Sequence, residues 1–179
     1  MKIAVIGFSG SGKSTLARRL SEITGAPVLH LDTVQFLPDW EIRPEEEKKA
    51  LVQDFLDSHL AWIIDGNYTK LSYERRLEEA DQIWILLFNR VTRFCRILRR
   101  YRQYRGKTRS DMAEGCPEKV DAEFARWVLW DCCTPEKAER FKDIVRRYPE
   151  KSHLFTNQRQ VDTALRLFEE GRGNRNMKV

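Results

Sequence analysis

The chain of 179 residues (21.2 kDa) has room for one compact domain with a small insertion. A helical membrane span is excluded, because the longest wholly apolar run, residues 83–88, falls far short of the roughly 20 residues a span needs. Five Trp, five Tyr and nine Phe exclude a disordered chain, and a net charge of +5 is too mild to specify nucleic acid as the partner.

In chain order, residues 2–6 are a short β-branched run that stops at Gly7, with a glycine-rich turn immediately after it. Gly7-Phe8-Ser9-Gly10-Ser11-Gly12-Lys13-Ser14 matches G-x-x-x-x-G-K-[ST] in full, and Thr15 follows. Glycines let the backbone turn successive N–H groups toward an anion, and a helix over residues 14–24 adds the positive end of its dipole. Lys13 then supplies a mobile charge for the β- and γ-phosphates of ATP, and Ser14 a hydroxyl for Mg²⁺. The nucleotide-binding set read from this motif is Gly7, Ser9, Gly10, Ser11, Gly12, Lys13, Ser14 and Thr15.

A second apolar run, residues 28–31, ends at Asp32, and a third, residues 61–64, ends at Asp65. Between them, Pro44 and three glutamates predict a helix start, with Leu51, Val52, Phe55, Leu56 and Leu60 as its buried stripe. Residues 83–88 form a fourth strand and residues 153–156 a weaker fifth. Continuous rather than alternating apolar runs indicate strands covered on both faces, hence a parallel sheet. Thr134-Pro135-Glu136 opens a helix with Ala138, Phe141, Val145 and Tyr148 on one face, and Val161, Ala164, Leu165 and Phe168 define the last.

The alternation predicts a doubly wound α/β sheet carrying one insertion. The expected organisation is a single domain over 1–179, with a core at about 1–103 and 135–170, a lid insertion at about 104–134, and a frayed tail over 171–179. The start of the chain runs directly into the first turn and carries no signal peptide, so a cytoplasmic location is expected. Cys95, Cys116, Cys132 and Cys133 lack Cys-x-x-Cys spacing, which argues for reduced thiols over zinc or a disulfide framework.

Function narrows by elimination. A GTPase needs a D-x-x-G switch and an N-K-x-D base reader, and Asp65-Gly66-Asn67-Tyr68 is not the first, while the second is absent. A mechanical ATPase needs more chain. A small kinase remains. Asp32 and Asp65 both follow strands, at the sheet edge where ligands of parallel α/β folds sit. Either suits Mg²⁺ or the proton of an acceptor hydroxyl.

Residues 7–15, Val28-Leu29-His30-Leu31-Asp32 and Trp62-Ile63-Ile64-Asp65-Gly66-Asn67-Tyr68 together resemble the small adenylate-kinase-like P-loop kinases. With Asp111-Met112-Ala113-Glu114-Gly115-Cys116-Pro117-Glu118 added, nearly the whole chain is similar to the group called DNA topology modulation (FlaR-type) proteins. The resemblance implies an α/β, three-layer P-loop NTPase fold, a doubly wound five-stranded parallel sheet with a helical lid insertion. It also implies an ATP site at 7–15, a mobile lid around 101–135, Asp65 near Mg²⁺, and Arg96 and Arg100 as lid-hinge arginines. One departure stands out: Asn67, Tyr68 and Thr69 occupy the stretch where such kinases place the arginine that grips a monophosphate, with Arg75 and Arg76 only nearby.

Residues 90–109 carry nine basic residues and no acid. Val91, Phe94, Ile97, Leu98 and Tyr101 are expected to form the buried face of that helix, with Arg93, Arg96 and Arg100 on another. A lid stripe closing over ATP is the favoured reading. A nucleic-acid surface, making the chain an ATP-dependent DNA-associated regulator, is the alternative. On the acceptor side, residues 32–65 hold nine carboxylates against Arg43, Lys48 and Lys49, which predicts an uncharged, zwitterionic or cationic small-molecule acceptor. Phe36, Trp40 and Tyr68 read either as apolar walls for it or as core packing. His30, His59 and His153 read as structural.

The resulting expectation is transfer of the γ-phosphoryl of ATP to a small molecule. Lys13, Asp32, Arg96 and Arg100 would be catalytic, Ser14 and Asp65 would hold Mg²⁺, and Asn157 to Gln160 are candidates by position for reading the base.

Overall fold

The computed structural model describes residues 1–118 and 120–176, with side chains described as far as residue 171. Strands β1 (Lys2–Gly7), β2 (Val28–His30), β3 (Trp62–Asp65), β4 (Gln82–Leu86) and β5 (Ser152–Phe155) form one sheet in the order β2-β3-β1-β4-β5. Every neighbouring pair is parallel. The order turns back at β1, whose neighbours β3 and β4 both come later in the chain. A crevice opens outside the carboxyl ends of the strands at such a switch point, and the glycine-rich turn leaves β1 there.

Side chains alternate across β1 and build the two faces separately. Ala4 and Ile6 join Trp62, Ile64, Ile83 and Ile85 on one face, covered by α2 (Leu31–Gln35), α3 (Glu45–Ser58), α4 (Tyr73–Glu79) and α7 (Pro135–Arg147). Ile3 and Val5 join Ile63, Trp84 and Leu86 on the other, covered by α1 (Lys13–Thr24) and α8 (Gln158–Asn176). Six of the buried isoleucines (3, 6, 63, 64, 83 and 85) have no accessible surface, and each contributes roughly 2 kcal/mol by burial. The α/β layer order predicted from the apolar runs is therefore the observed one.

Local signals set the helix ends. Thr134 caps α7 by accepting from the Lys137 amide, with Pro135 at the first helical position. Asn89 does the same for α5 (Arg90–Tyr104) through the Thr92 amide at 2.9 Å. After α5 the chain runs as loop until α6 (Ala122–Leu129).

Several expectations shift in detail. β2 stops at His30, because Leu31 already begins α2, so Asp32 sits in the first turn of a helix rather than at a strand end. β4 stops at Leu86, two residues early. On α3 only Val52 and Leu56 of the expected stripe are buried; Leu51 is exposed, and Leu60 lies beyond the helix, fully in solvent. On α5, Val91 is exposed and Arg93 takes the buried position. α8 continues through Asn176, past the expected fraying point at Gly171, and residues 177–179 lie outside the described residues.

Candidate active site

The glycine-rich turn is held from outside by main-chain and amide contacts. Gly7 donates its N–H to Asn67 Oδ1 at 2.9 Å, and the Asn67 amide donates back to the Gly7 carbonyl. Phe8 donates to the Leu86 carbonyl at 3.1 Å. Gly12 precedes α1 with φ +96°, and a β-carbon there would stand 3.0 Å from an Arg96 guanidinium nitrogen. The left-handed φ favours glycine at that position, and a side chain there would also press on Arg96. Lys13 curls back so that Nζ donates to the Phe8 carbonyl at 3.2 Å, across the mouth of the loop. The Ser11 hydroxyl is buried in the cradle without a hydrogen-bond partner, the kind of orphaned polar atom that a bound ligand satisfies.

Two arginines of α5 brace this loop. Arg93 is 1% exposed; it donates to the Phe88 and Ser9 carbonyls and to the Cys132 thiol, with its guanidinium over the Phe8 ring. Arg96 donates to the Ser11 carbonyl at 2.7 Å and to Gln158 at 2.6 Å. Arg100 instead pairs with Glu118 at 2.6 Å. The basic stretch is thus not one surface. Arg93 is structural, Arg96 touches the loop, Arg100 and Arg109 are ion-paired, and Arg102 and Arg105 lie outside the cleft.

The opposite wall comes from the ends of β2 and β3. The parallel register sets His30 beside Asp65, and His30 Nδ1 lies 2.9 Å from the buried Asp65 carboxylate. His30, expected to be structural, thus touches the Asp65 carboxylate without itself lining the cleft. Asp32 Oδ1 accepts the Tyr68 hydroxyl at 2.7 Å. Burial, and then the Asp32 charge, push the Tyr68 phenol far above its usual range, so it stays a donor to Asp32. Beneath, the 1% exposed Arg76 donates to the carbonyls of Leu71, Gly66 and Tyr68 and fixes the turn after Asp65. Burial lowers its pKa to about 10, against the stabilising effects of Tyr73 and Asp65. Arg75 points outward to Asp57 and Glu79. Neither supplies a phosphate grip.

These walls enclose a cleft of about 1020 Å³ that brings together residues 8–15 of the glycine-rich turn, Asp32, Asp65, Tyr68, Arg96 and Arg100, while Gly7, expected in the nucleotide-binding set, ends β1 and does not line it. Of the nine carboxylates in residues 32–65, only Asp32 and Asp65 line it, so the acid-rich count does not describe the pocket. Of the aromatics offered either as acceptor walls or as core packing, Phe36 and Trp40 take the packing role, against Met112, Ala113 and Cys116, and Tyr68 lines the cleft. Lys137 and Arg140 of α7 line the cleft; the sequence offers Arg140, with Arg146 and Arg147, as a basic residue of the returning helix able to reach the nucleotide, while Lys137 sits in no motif and carries no such signal. Of residues 157–160, Gln158 alone lines it.

The donor set suits magnesium held jointly with phosphate. Among the described residues no group of three or more His, Cys, Asp or Glu is arranged to hold a metal unaided, while Ser14 and Asp65 offer hard oxygens on the cleft wall. Mg²⁺ in such sites keeps waters and relies on one or two carboxylates plus substrate phosphates.

Comparison with solved structures places the fold. The shikimate kinase from Acinetobacter baumannii in complex with shikimate superposes with a TM-score of 0.58 at 16% identity, covering 97% of this chain and 93% of that one. The shikimate kinase from Bacteroides thetaiotaomicron gives 0.51 at 15% identity, with 95% and 96% covered. No family model matches the sequence. The chain has the fold of the small P-loop kinases, a five-stranded parallel sheet between helical layers. No described helix is long and apolar enough to cross a membrane.

Proposed function

We propose that the chain is an ATP-dependent kinase that phosphorylates a hydroxyl of a small molecule, with Mg²⁺ held by Ser14 and Asp65. The observation that carries this reading is the meeting, in one cleft, of a complete P-loop and the Asp32–Tyr68 pair. Kinases of small molecules share the fold, which supports the class, while at 16% identity nothing finer passes from them to this chain.

In this reading the amides of residues 9–15 and Lys13 bind the phosphates, Lys13 exchanging the Phe8 carbonyl for a phosphate oxygen. Bound Mg²⁺ supplies charge neutralisation at the β- and γ-oxygens. Tyr68 occupies one oxygen of Asp32 and orients the other toward the acceptor. As the acceptor oxygen bonds to the γ-phosphorus, the bond from that phosphorus to the β,γ-bridging oxygen breaks, the hydroxyl proton passes to Asp32, and ADP leaves. Arg96 and Arg100 add positive charge at the transferring group, Arg100 after leaving Glu118. Gln158, held by Arg96, is placed to meet the base. Lys137 and Arg140, in the same cleft as Asp32, suit an acceptor with an anionic group, whether zwitterionic or acidic, so the carboxylate-rich segment no longer argues for a cationic one.

A panel of hydroxylated metabolites scored for ADP release, with Lys13→Ala as the blank, tests the proposal. Acceptor-dependent release above that blank is the expected result. Release that no acceptor stimulates would remove the kinase reading.

A further inference from the structure

We propose that Asp111, in the loop between α5 and α6, is a second carboxylate for the magnesium ion of the bound nucleotide, so that the insertion is clasped to the P-loop through the metal. The inference rests on the nucleotide site proposed above and adds a residue that neither the P-loop motif nor the strand ends announce.

Asp111 is 4% exposed and lines the same cleft as Ser14 and Asp65. The Ser14 hydroxyl stands beside its carboxylate. Arg109 Nη1 holds Oδ2 at 2.6 Å, Arg109 Nε holds Glu118 at 2.8 Å, and Glu118 in turn holds Arg100. Two acids and two bases thus form a chain of ion pairs from α5 to the P-loop.

The position is built rather than incidental. The insertion is anchored on its far side, where the Gly115 carbonyl accepts the Asp39 amide at 3.1 Å and the Cys116 thiol donates to the Leu37 carbonyl at 3.2 Å. Gly115 has φ +74°, and a β-carbon there would lie 2.9 Å from Pro38 Cβ, so only glycine lets the loop approach this closely. Met112, Ala113 and Cys116 then bury against Phe36 and Trp40.

A fixed carboxylate beside Ser14 presents an electrostatic conflict. It repels a bare polyphosphate and attracts the cation that accompanies one. Carboxylate oxygen is a hard ligand of the kind Mg²⁺ takes, directly or through a retained water. Magnesium would resolve the conflict, and the anchored loop carrying Asp111 would then be held more firmly on the nucleotide than in its absence.

Calorimetric titration of ATP into the full chain, with Mg²⁺ and with EDTA, reads the effect of Asp111→Asn. The wild type is expected to bind ATP more tightly with Mg²⁺. In the variant the EDTA affinity holds or rises, while the gain from Mg²⁺ shrinks by about tenfold. Equal tightening in both buffers would mean that Asp111 merely plugs the site, and equal weakening that it only holds the loop; either outcome overturns the proposal. Glu118→Gln, which loosens Arg109 without touching the carboxylate, should keep the magnesium gain. Hydrogen exchange on the wild type gives a reading independent of variant folding: residues 108–118 should gain protection with Mg²⁺ and ATP but not with ATP in EDTA, and equal protection in both contradicts the clasp. A wild type that binds ATP in neither buffer would instead break the nucleotide-site reading itself.

Discussion

Two of the cleft's walls, besides the one at the ends of β2 and β3 that carries Asp32, are built by different means. The P-loop wall is main chain: Gly7, Phe8, Ser9 and Ser11 are fixed through their amides and carbonyls by Asn67, Leu86, Arg93 and Arg96. The insertion wall is side chains, an ion-pair run from Arg100 through Glu118 and Arg109 to Asp111 above a three-residue apolar knot. A wall of carbonyls tolerates changes in most of its side chains and in pH. A wall of ion pairs answers to both. The division suits a phosphate cradle that must be ready before the ligand arrives, opposed by a cover whose hold varies with charge.

Four expectations sharpen that comparison. The largest effect falls at Asp32, which belongs to neither wall: Asp32→Asn should lower kcat on the order of 10³-fold while leaving calorimetric ATP affinity unchanged. Loss of ATP binding instead would show that Asp32 serves the cradle. Next comes Arg76→Met, which removes the donor to three carbonyls under the Asp65–Tyr68 turn. Thermal unfolding should report a loss of about 3 kcal/mol, the scale for stranding buried groups bonded to a charge. A loss under 1 kcal/mol would mean that solvent or relaxation replaces the guanidinium.

A smaller effect should appear with pH. The folded pKa of Asp111 lies below its ordinary 3.8, so its contribution to stability is complete above 3.8 and is lost as pH falls through the lower, folded value. The melting-temperature gap between wild type and Asp111→Asn should therefore be constant from pH 7 to about 4 and close below it. A gap that closes between pH 7 and 5 would implicate another group. The smallest effect belongs to Arg102 and Arg105, which lie outside the cleft. Changing both to Glu should leave phosphoryl transfer within about twofold, given the weak influence of screened surface charge. A large drop would restore the single-stripe view of the basic helix.

The same division explains what the sequence disclosed. The cradle is contiguous in the chain, so its eight-residue motif could be read directly, and the first four strands announced themselves as apolar runs, the fifth, Ser-His-Leu-Phe, more weakly. Short helices did not: α2 and α4, at five and seven residues, offer too few turns for a period to show. Arg93 was misplaced because apolar periodicity cannot see that the Phe88 and Ser9 carbonyls make a buried berth for a cation. Likewise, Leu51 and Leu60 fit the stripe by type but face solvent. The His30–Asp65 pair arises from register between two strands, and the Asp111–Ser14 approach spans nearly a hundred residues. No local pattern records either.

The account stands on the cradle holding a nucleoside triphosphate. Isothermal titration of ATP in magnesium buffer into the wild type and Lys13→Ala tests it most directly. A saturable heat with the wild type, weakened at least about tenfold in the variant, is the predicted result. Equal binding by the two proteins, or none by the wild type, would contradict it.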